Sequence, residues 1–79
     1  MEAQQIQQLV EQGLTGSSVH VEGGSGKYHL SAVSDAFEGL NVVKRNQLIY
    51  GMLNEHIASG AIHAITMDLK TTTETDSGS

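Results

Sequence analysis

The chain has no cysteine. Without thiolates it forms no disulfide, no Cys-type zinc site and no iron–sulfur cluster held on its own sulfur, and it has no cysteine nucleophile. It carries no mark of an oxidising compartment. Aromatic residues are nearly missing: Tyr28, Phe37 and Tyr50 are the only three among 79 residues. A chain of this length makes one small domain that buries only about 60–65% of its unfolded surface, so its stability is modest. No apolar run approaches the ~18 residues of a membrane span. The N-terminal MEAQQIQQLV has no basic n-region, so no cleaved secretory signal is expected and the cytoplasm is the default location. Positive charge is scarce as well. Four basic residues stand against nine acidic ones, a net −5, and such a chain repels phosphate backbones at long range. Only Lys44-Arg45 resembles a basic patch.

What is present is patterned. Ala3, Ile6, Leu9, Val10 and Leu14 recur at three- and four-residue steps and predict an amphipathic helix over 3–14, with Gly13 as a left-handed C-cap. Val19-His20-Val21-Glu22 alternates as a half-buried strand. A second strand, Lys27 to Ser34, follows the loop Gly23–Gly26, and the pair reads as a β-hairpin. Residues 34–38 predict a short helical turn stopped by Gly39. Asn41 is an N-cap for a helix running to about Ala58, with Val42, Ile49, Leu53 and Ile57 on one stripe and Val43 and Tyr50 beside it. Gly51, inside that helix, predicts the close approach of another backbone. Ile62 to Lys70 predicts a third strand, with His63, Ile65, Met67 and Leu69 on one face. The order α-β-β-α-α-β places a long crossover between the second and third strands, which makes them parallel. The fold class is α+β: a three-stranded mixed sheet with helices packed on one face. Residues 1–70 form the single domain, and the Thr/Ser/Gly/acid tail 71–79 is expected to be disordered.

Few motifs carry chemistry. The Gly23–Gly26 loop fails as a phosphate cradle, because Val21 and Tyr28 stand where a Walker A loop needs Gly and Ser or Thr. Ser34-Asp35 reads as a strand exit and cap, and no G-x-S-x-G elbow accompanies it. No catalytic residue is assigned, and the chain is expected not to be an enzyme. Four histidines remain: His20, His29, His56 and His63. His20 reads as an outward strand residue and His56 as a solvated helix residue. His63 stands at the mouth of the third strand. Spacing alone leaves two readings open, a core-edge histidine bonded to a loop carbonyl or a metal ligand on a rigid strand end.

The segments Tyr28-His29-Leu30-Ser31-Ala32-Val33-Ser34, Phe37-Glu38-Gly39, Val43-Lys44-Arg45-Asn46-Gln47-Leu48-Ile49-Tyr50 and Ile62-His63-Ala64 together resemble the BolA family, in its bacterial BolA/IbaG-like branch. The resemblance spans residues 3–74. It implies a class II KH-like α-β-β-α-α-β fold and a cytoplasmic, non-enzymatic adaptor in iron–sulfur trafficking, iron homeostasis and stress response. Such an adaptor pairs with a monothiol glutaredoxin and shares a [2Fe–2S] cluster. Glutaredoxin and glutathione bring the thiolates, and the histidine of I-H-A, here His63, is the implied ligand. No cluster is expected on the chain alone, which would be a monomer or weak homodimer. Lys27 stands where many bacterial members have a second ligand, histidine; His29 is a weaker second candidate, because one step past Tyr28 it points to the other face. Lys44, Arg45, Asn46 and Gln47 are the implied partner or nucleic-acid surface, although the family's R-H-R is here Arg45-Asn46-Gln47. The family's T-P-x-E is Thr71-Thr72-Thr73-Glu74. Some members bind DNA, so the alternative is a DNA-binding transcriptional regulator using the KH-like or helix-turn-helix region. Against it, the inter-helix turn Glu38-Gly39-Leu40-Asn41 lacks the G-x-x-G grip of KH domains.

Overall fold

The computed structural model describes residues 1–77. Helix α1 (Ala3–Gly13) begins where the Glu2 backbone N–H donates to Gln5 Oε1 at 2.7 Å, and it buries Ile6 and Val10. Strands β1 (Ser18–Gly24) and β2 (Lys27–Val33) pair antiparallel. Their turn is Ser25-Gly26, with φ of +55° and +84°, the mirror-image geometry that matches the twist of a tight hairpin. Ser34 then caps a 3-10 turn over Asp35–Phe37, its Oγ accepting from the Ala36 amide at 3.1 Å. Asn41 Oδ1 accepts from the Lys44 amide at 2.9 Å and starts α2 (Val42–Ala58). This helix is the crossover to β3 (Ala64–Lys70), which lies parallel to β2 and completes a sheet of order β1-β2-β3.

The architecture is α+β, as the pattern predicts, with a mixed three-stranded sheet. Register explains the core. Val19 pairs with Ala32 and Val21 with Leu30, while Tyr28, Leu30 and Ala32 pair with Ile65, Met67 and Leu69. These residues share one face, and the helices cover it with Ile6, Val10, Ile49 and Leu53. Phe37 is fully buried. The opposite face is exposed and polar, carrying His20, Glu22, His29, Thr66 and Asp68.

Several details depart from the sequence reading. The positive φ after α1 lies at Gly16 (+80°), not Gly13, which stays helical with a hypothetical Cβ 2.9 Å from Met52 Sδ and Cε. Val42 shares its helical stripe with Ile49 yet is 71% exposed, because periodicity defines a face and not where the covering layer ends. Gly51 approaches no backbone: nothing lies within 4 Å of its Cβ position. The third strand starts at Ala64, two residues late. Both the His63 and Ala64 amides converge on the Gly26 carbonyl, at 2.7 and 3.0 Å. Successive amides of a regular strand point to opposite sides, so the alternation stops there. Ile62 therefore falls in the core and His63 is exposed, the reverse of the faces expected.

The expected disorder of 71–79 does not hold for its described part. Thr72–Ser77 forms a short helix, α3, and residues 78–79 lie outside the described residues. Thr71 is buried; its Oγ1 accepts from the Glu74 amide at 3.1 Å, while Glu74 Oε1 accepts from the Thr71 amide at 2.8 Å. This is a reciprocal capping box, and T-x-x-E is its sequence signature. Gly39, in contrast, has the positive φ (+76°) that its place between helical segments suggests.

Candidate functional site

His63 sits in the bend between α2 and β3, beside the tip of the β1–β2 hairpin. Its backbone is pinned by the Gly26 carbonyl, but its ring is exposed and finds no hydrogen-bond partner among the described residues. The core-edge alternative, a ring bonded to a loop carbonyl, is thus not what the geometry gives; the carbonyl takes the amide instead. Beside the ring runs a shallow groove of about 330 Å³, lined by Tyr50, Ile57, Ile62, Ala64 and Ile65 with His63 itself. Tyr50 (42% exposed) and Val43 (62% exposed) lie seven residues apart on α2, on one stripe with exposed Gln47. An accessible imidazole therefore borders an apolar groove and a half-apolar helix face. That combination suits a contact in which a partner closes over a metal ligand and excludes water.

The other histidines do not join it. His29 points to the open sheet face, its Nδ1 2.7 Å from Thr66 Oγ1 and its Nε2 3.4 Å from Ser31 Oγ. Thr66 pairs with His29, so His29 lies two strand positions beyond Lys27↔Ala64, the first pair after the bend that holds His63. His20 Nε2 is 2.9 Å from Glu22 Oε1 on the same open face. His56 is half-buried beside Gln5, Gln8 and Gln12 of α1, not solvated on a polar face. Among the described residues no three His, Asp or Glu side chains are grouped to hold a metal.

The segment Lys44–Gln47 is divided. Lys44 and Gln47 are exposed. Asn46 is half-buried against a small cavity of about 130 Å³ that Val42, Met67 and Leu69 also line. Arg45 turns inward with its side chain 13% exposed. Its Nε donates to the Leu40 carbonyl at 2.8 Å and its Nη1 to the Leu69 carbonyl at 3.1 Å. The same guanidinium grips Glu74 bidentately, Nη1 to Oε1 at 2.7 Å and Nη2 to Oε2 at 3.0 Å. The hydrogen bond from Arg45, then that from the Thr71 amide, lowers the Glu74 pKa to about 2. Arg45 is thus a structural clamp between α2, β3 and α3. Arg45, expected on a partner or nucleic-acid surface, makes four hydrogen bonds and an ion pair within the chain. This clamp was missed in the sequence because it joins residues 29 apart.

Two features of the site also escaped the sequence reading. Gly26 lies under the His63 ring, whereas its loop reads only as a hairpin connection. Tyr50, beside the apolar stripe, lines the groove, a role its place in the pattern does not indicate. Among the described residues no helix is long and apolar enough to cross a membrane.

The model of "BolA-like protein" matches residues 5–74. The acid stress protein IbaG of Escherichia coli (strain K12) is 36% identical over 74 residues, covering 94% of this chain and 88% of that protein. Among solved structures, a bolA protein homologue from Coxiella burnetii superposes with a TM-score of 0.84 at 30% identity, covering 96% of this chain and 97% of that one. The BolA domain of SufE1 from Arabidopsis thaliana gives a TM-score of 0.83 at 34% identity, covering 91% and 93%. Sequence across nearly the whole chain and backbone geometry agree: this chain belongs to the BolA family.

Proposed function

We propose that the chain is a non-enzymatic cytoplasmic adaptor of iron–sulfur chemistry. It pairs with a monothiol glutaredoxin, and His63 is its ligand to a shared [2Fe–2S] cluster. The observation that carries this reading is the His63 ring: exposed, without a hydrogen bond among the described residues, and mounted on a backbone pinned to the hairpin tip beside an apolar groove. A ring with no partner among the described residues is available to a ligand or partner outside the chain.

The donor set fits a share of a cluster and not a whole one. A [2Fe–2S] centre takes four ligands, mostly thiolates. This chain has no cysteine, and its described residues gather no trio of other ligands. It therefore needs a partner that brings sulfur, which is the role glutaredoxin and glutathione have in the family. Bound in that way, the cluster would gain one neutral imidazole in place of one thiolate, which raises its potential. The chain's own contribution is positioning. The Gly26 carbonyl holds the His63 backbone, and the Tyr50–Ile65 groove offers the apolar border that keeps water from the metal bond.

The test is to form the heterocomplex with a monothiol glutaredoxin and compare the wild-type chain with His63→Ala by visible absorption and circular dichroism. The variant should fold and still bind glutaredoxin. Its spectrum should revert toward that of the glutaredoxin homodimer, and its cluster should be lost faster. His29→Ala and His20→Ala should change little. A wild-type spectrum from His63→Ala would remove His63 as the ligand.

A further inference from the structure

Gly26 is buried, and the His63 ring occupies the space its side chain would fill. A Cβ on Gly26 would stand 2.2 Å from His63 Cδ2, 3.1 Å from Cγ and 3.3 Å from Nε2. The carbonyl of the same residue accepts from the His63 and Ala64 amides. One residue thus fixes both ends of the histidine, its backbone through a carbonyl and its ring through a missing side chain. The other positive-φ glycines do nothing comparable. Gly16, Gly39 and Gly60 have open space where a Cβ would go, and Gly23 lies against the Lys27 and Tyr28 backbone.

We propose that Gly26 is a positioning residue for His63, setting the direction in which the imidazole presents its nitrogens and hence the metal bond. This rests on the reading of His63 as a ligand. Any Cβ at position 26 must displace the ring, because the contacts are far below van der Waals distance. The ring is the exposed end of a side chain, so it can rotate away without disturbing the core. A metal–imidazole bond is directional, and a ligand displaced by an ångström no longer meets its metal. Substitution at Gly26 therefore acts on the ligand more than on the fold. The purely architectural alternative is that Gly26 is glycine only because φ is +84° in a two-residue turn.

Two variants separate these roles. Gly26→Asn adds a Cβ, while asparagine tolerates the left-handed backbone. Gly16→Ala imposes strain at a similar φ of +80° with no ring nearby. In the isolated chain, NMR couplings for the His63 side chain and nuclear Overhauser contacts from its Hδ2 to residue 26 report the ring orientation without any cluster. Gly26→Asn should shift both; Gly16→Ala should shift neither. In the heterocomplex with a monothiol glutaredoxin, Gly26→Asn should move the visible circular dichroism in the direction that His63→Ala does. It should also weaken cluster retention about 10-fold or more, the scale on which groups orienting a metal-binding histidine act. An unmoved ring in Gly26→Asn overturns the proposal. So does an equal shift in Gly16→Ala, or an unfolded Gly26→Asn beside a folded Gly16→Ala, since the glycine would then serve the hairpin. A displaced ring with a wild-type cluster spectrum removes the ligand reading of His63, and the functional role of Gly26 with it.

Discussion

Replacing Gly51 by alanine should stabilise the protein, and the structure sets both sign and size. Gly51 lies in the middle of α2, is exposed, and is not among the positive-φ residues. Nothing lies within 4 Å of the position its Cβ would take. An added methyl group therefore meets no neighbour and needs no backbone change. What remains is the cost of glycine in a helix interior, the entropy it loses on folding, which is about 0.5–1 kcal/mol relative to alanine. For a domain of this size that corresponds to a rise in Tm of roughly 2–8 °C. In urea, at a slope of ~1 kcal/mol/M, the midpoint should rise by about 0.5–1 M with the slope unchanged. Gly51→Val should fall between glycine and alanine, because a β-branched side chain forfeits part of the helical gain. The sequence pattern alone suggests the opposite, a loss of about 1–3 kcal/mol from overpacking. Gly39→Ala supplies the contrast. Its Cβ site is equally empty, but its φ is +76°, so alanine should destabilise there by roughly 1–2 kcal/mol. A lowered midpoint for Gly51→Ala, or the same sign of change for both variants, would refute the reasoning that space and φ together decide these positions.

Two further predictions test the frame that holds the site. Leu53 is fully buried between helix and sheet, so Leu53→Ala should lower the stability by about 2–5 kcal/mol, read from the urea midpoint; a change under half a kilocalorie would mean that the helix packs elsewhere. Glu74 titrates at about 2 because Arg45 and the Thr71 amide bind its ionised form. Its contribution to folding is fully present above the ordinary glutamate value of 4.5 and is lost as the pH falls through about 2. The carboxyl carbon shift of Glu74 should accordingly titrate far below the ordinary glutamate value of 4.5, and Glu74→Gln should speed hydrogen exchange at the amides of residues 71 and 74. An ordinary midpoint for Glu74 would mean that the clamp to Arg45 does not form in solution.

Much of this molecule is written in local pattern. The helix and strand periods, the Asn41 cap and the length of the crossover determine an α+β chain whose last strand runs parallel to the second. They suffice because periodicity, capping and connection length are properties of neighbouring residues. The absence of cysteine likewise determines, with no coordinates, that any cluster chemistry must borrow its sulfur. Tertiary structure decided what depends on residues distant in sequence. Arg45 reads as surface charge until Glu74 and the Leu69 carbonyl, far along the chain, are seen to surround it. Gly51 reads as a crowded position and is open, because a helical pattern does not say which of its faces the sheet fails to reach. His63 reads as the first inward residue of a strand. It turns out exposed, because two amides share one carbonyl and break the alternation just before β3. That carbonyl belongs to Gly26, 37 residues earlier, and such a contact is made by the β2–β3 register, which only the folded sheet brings into being.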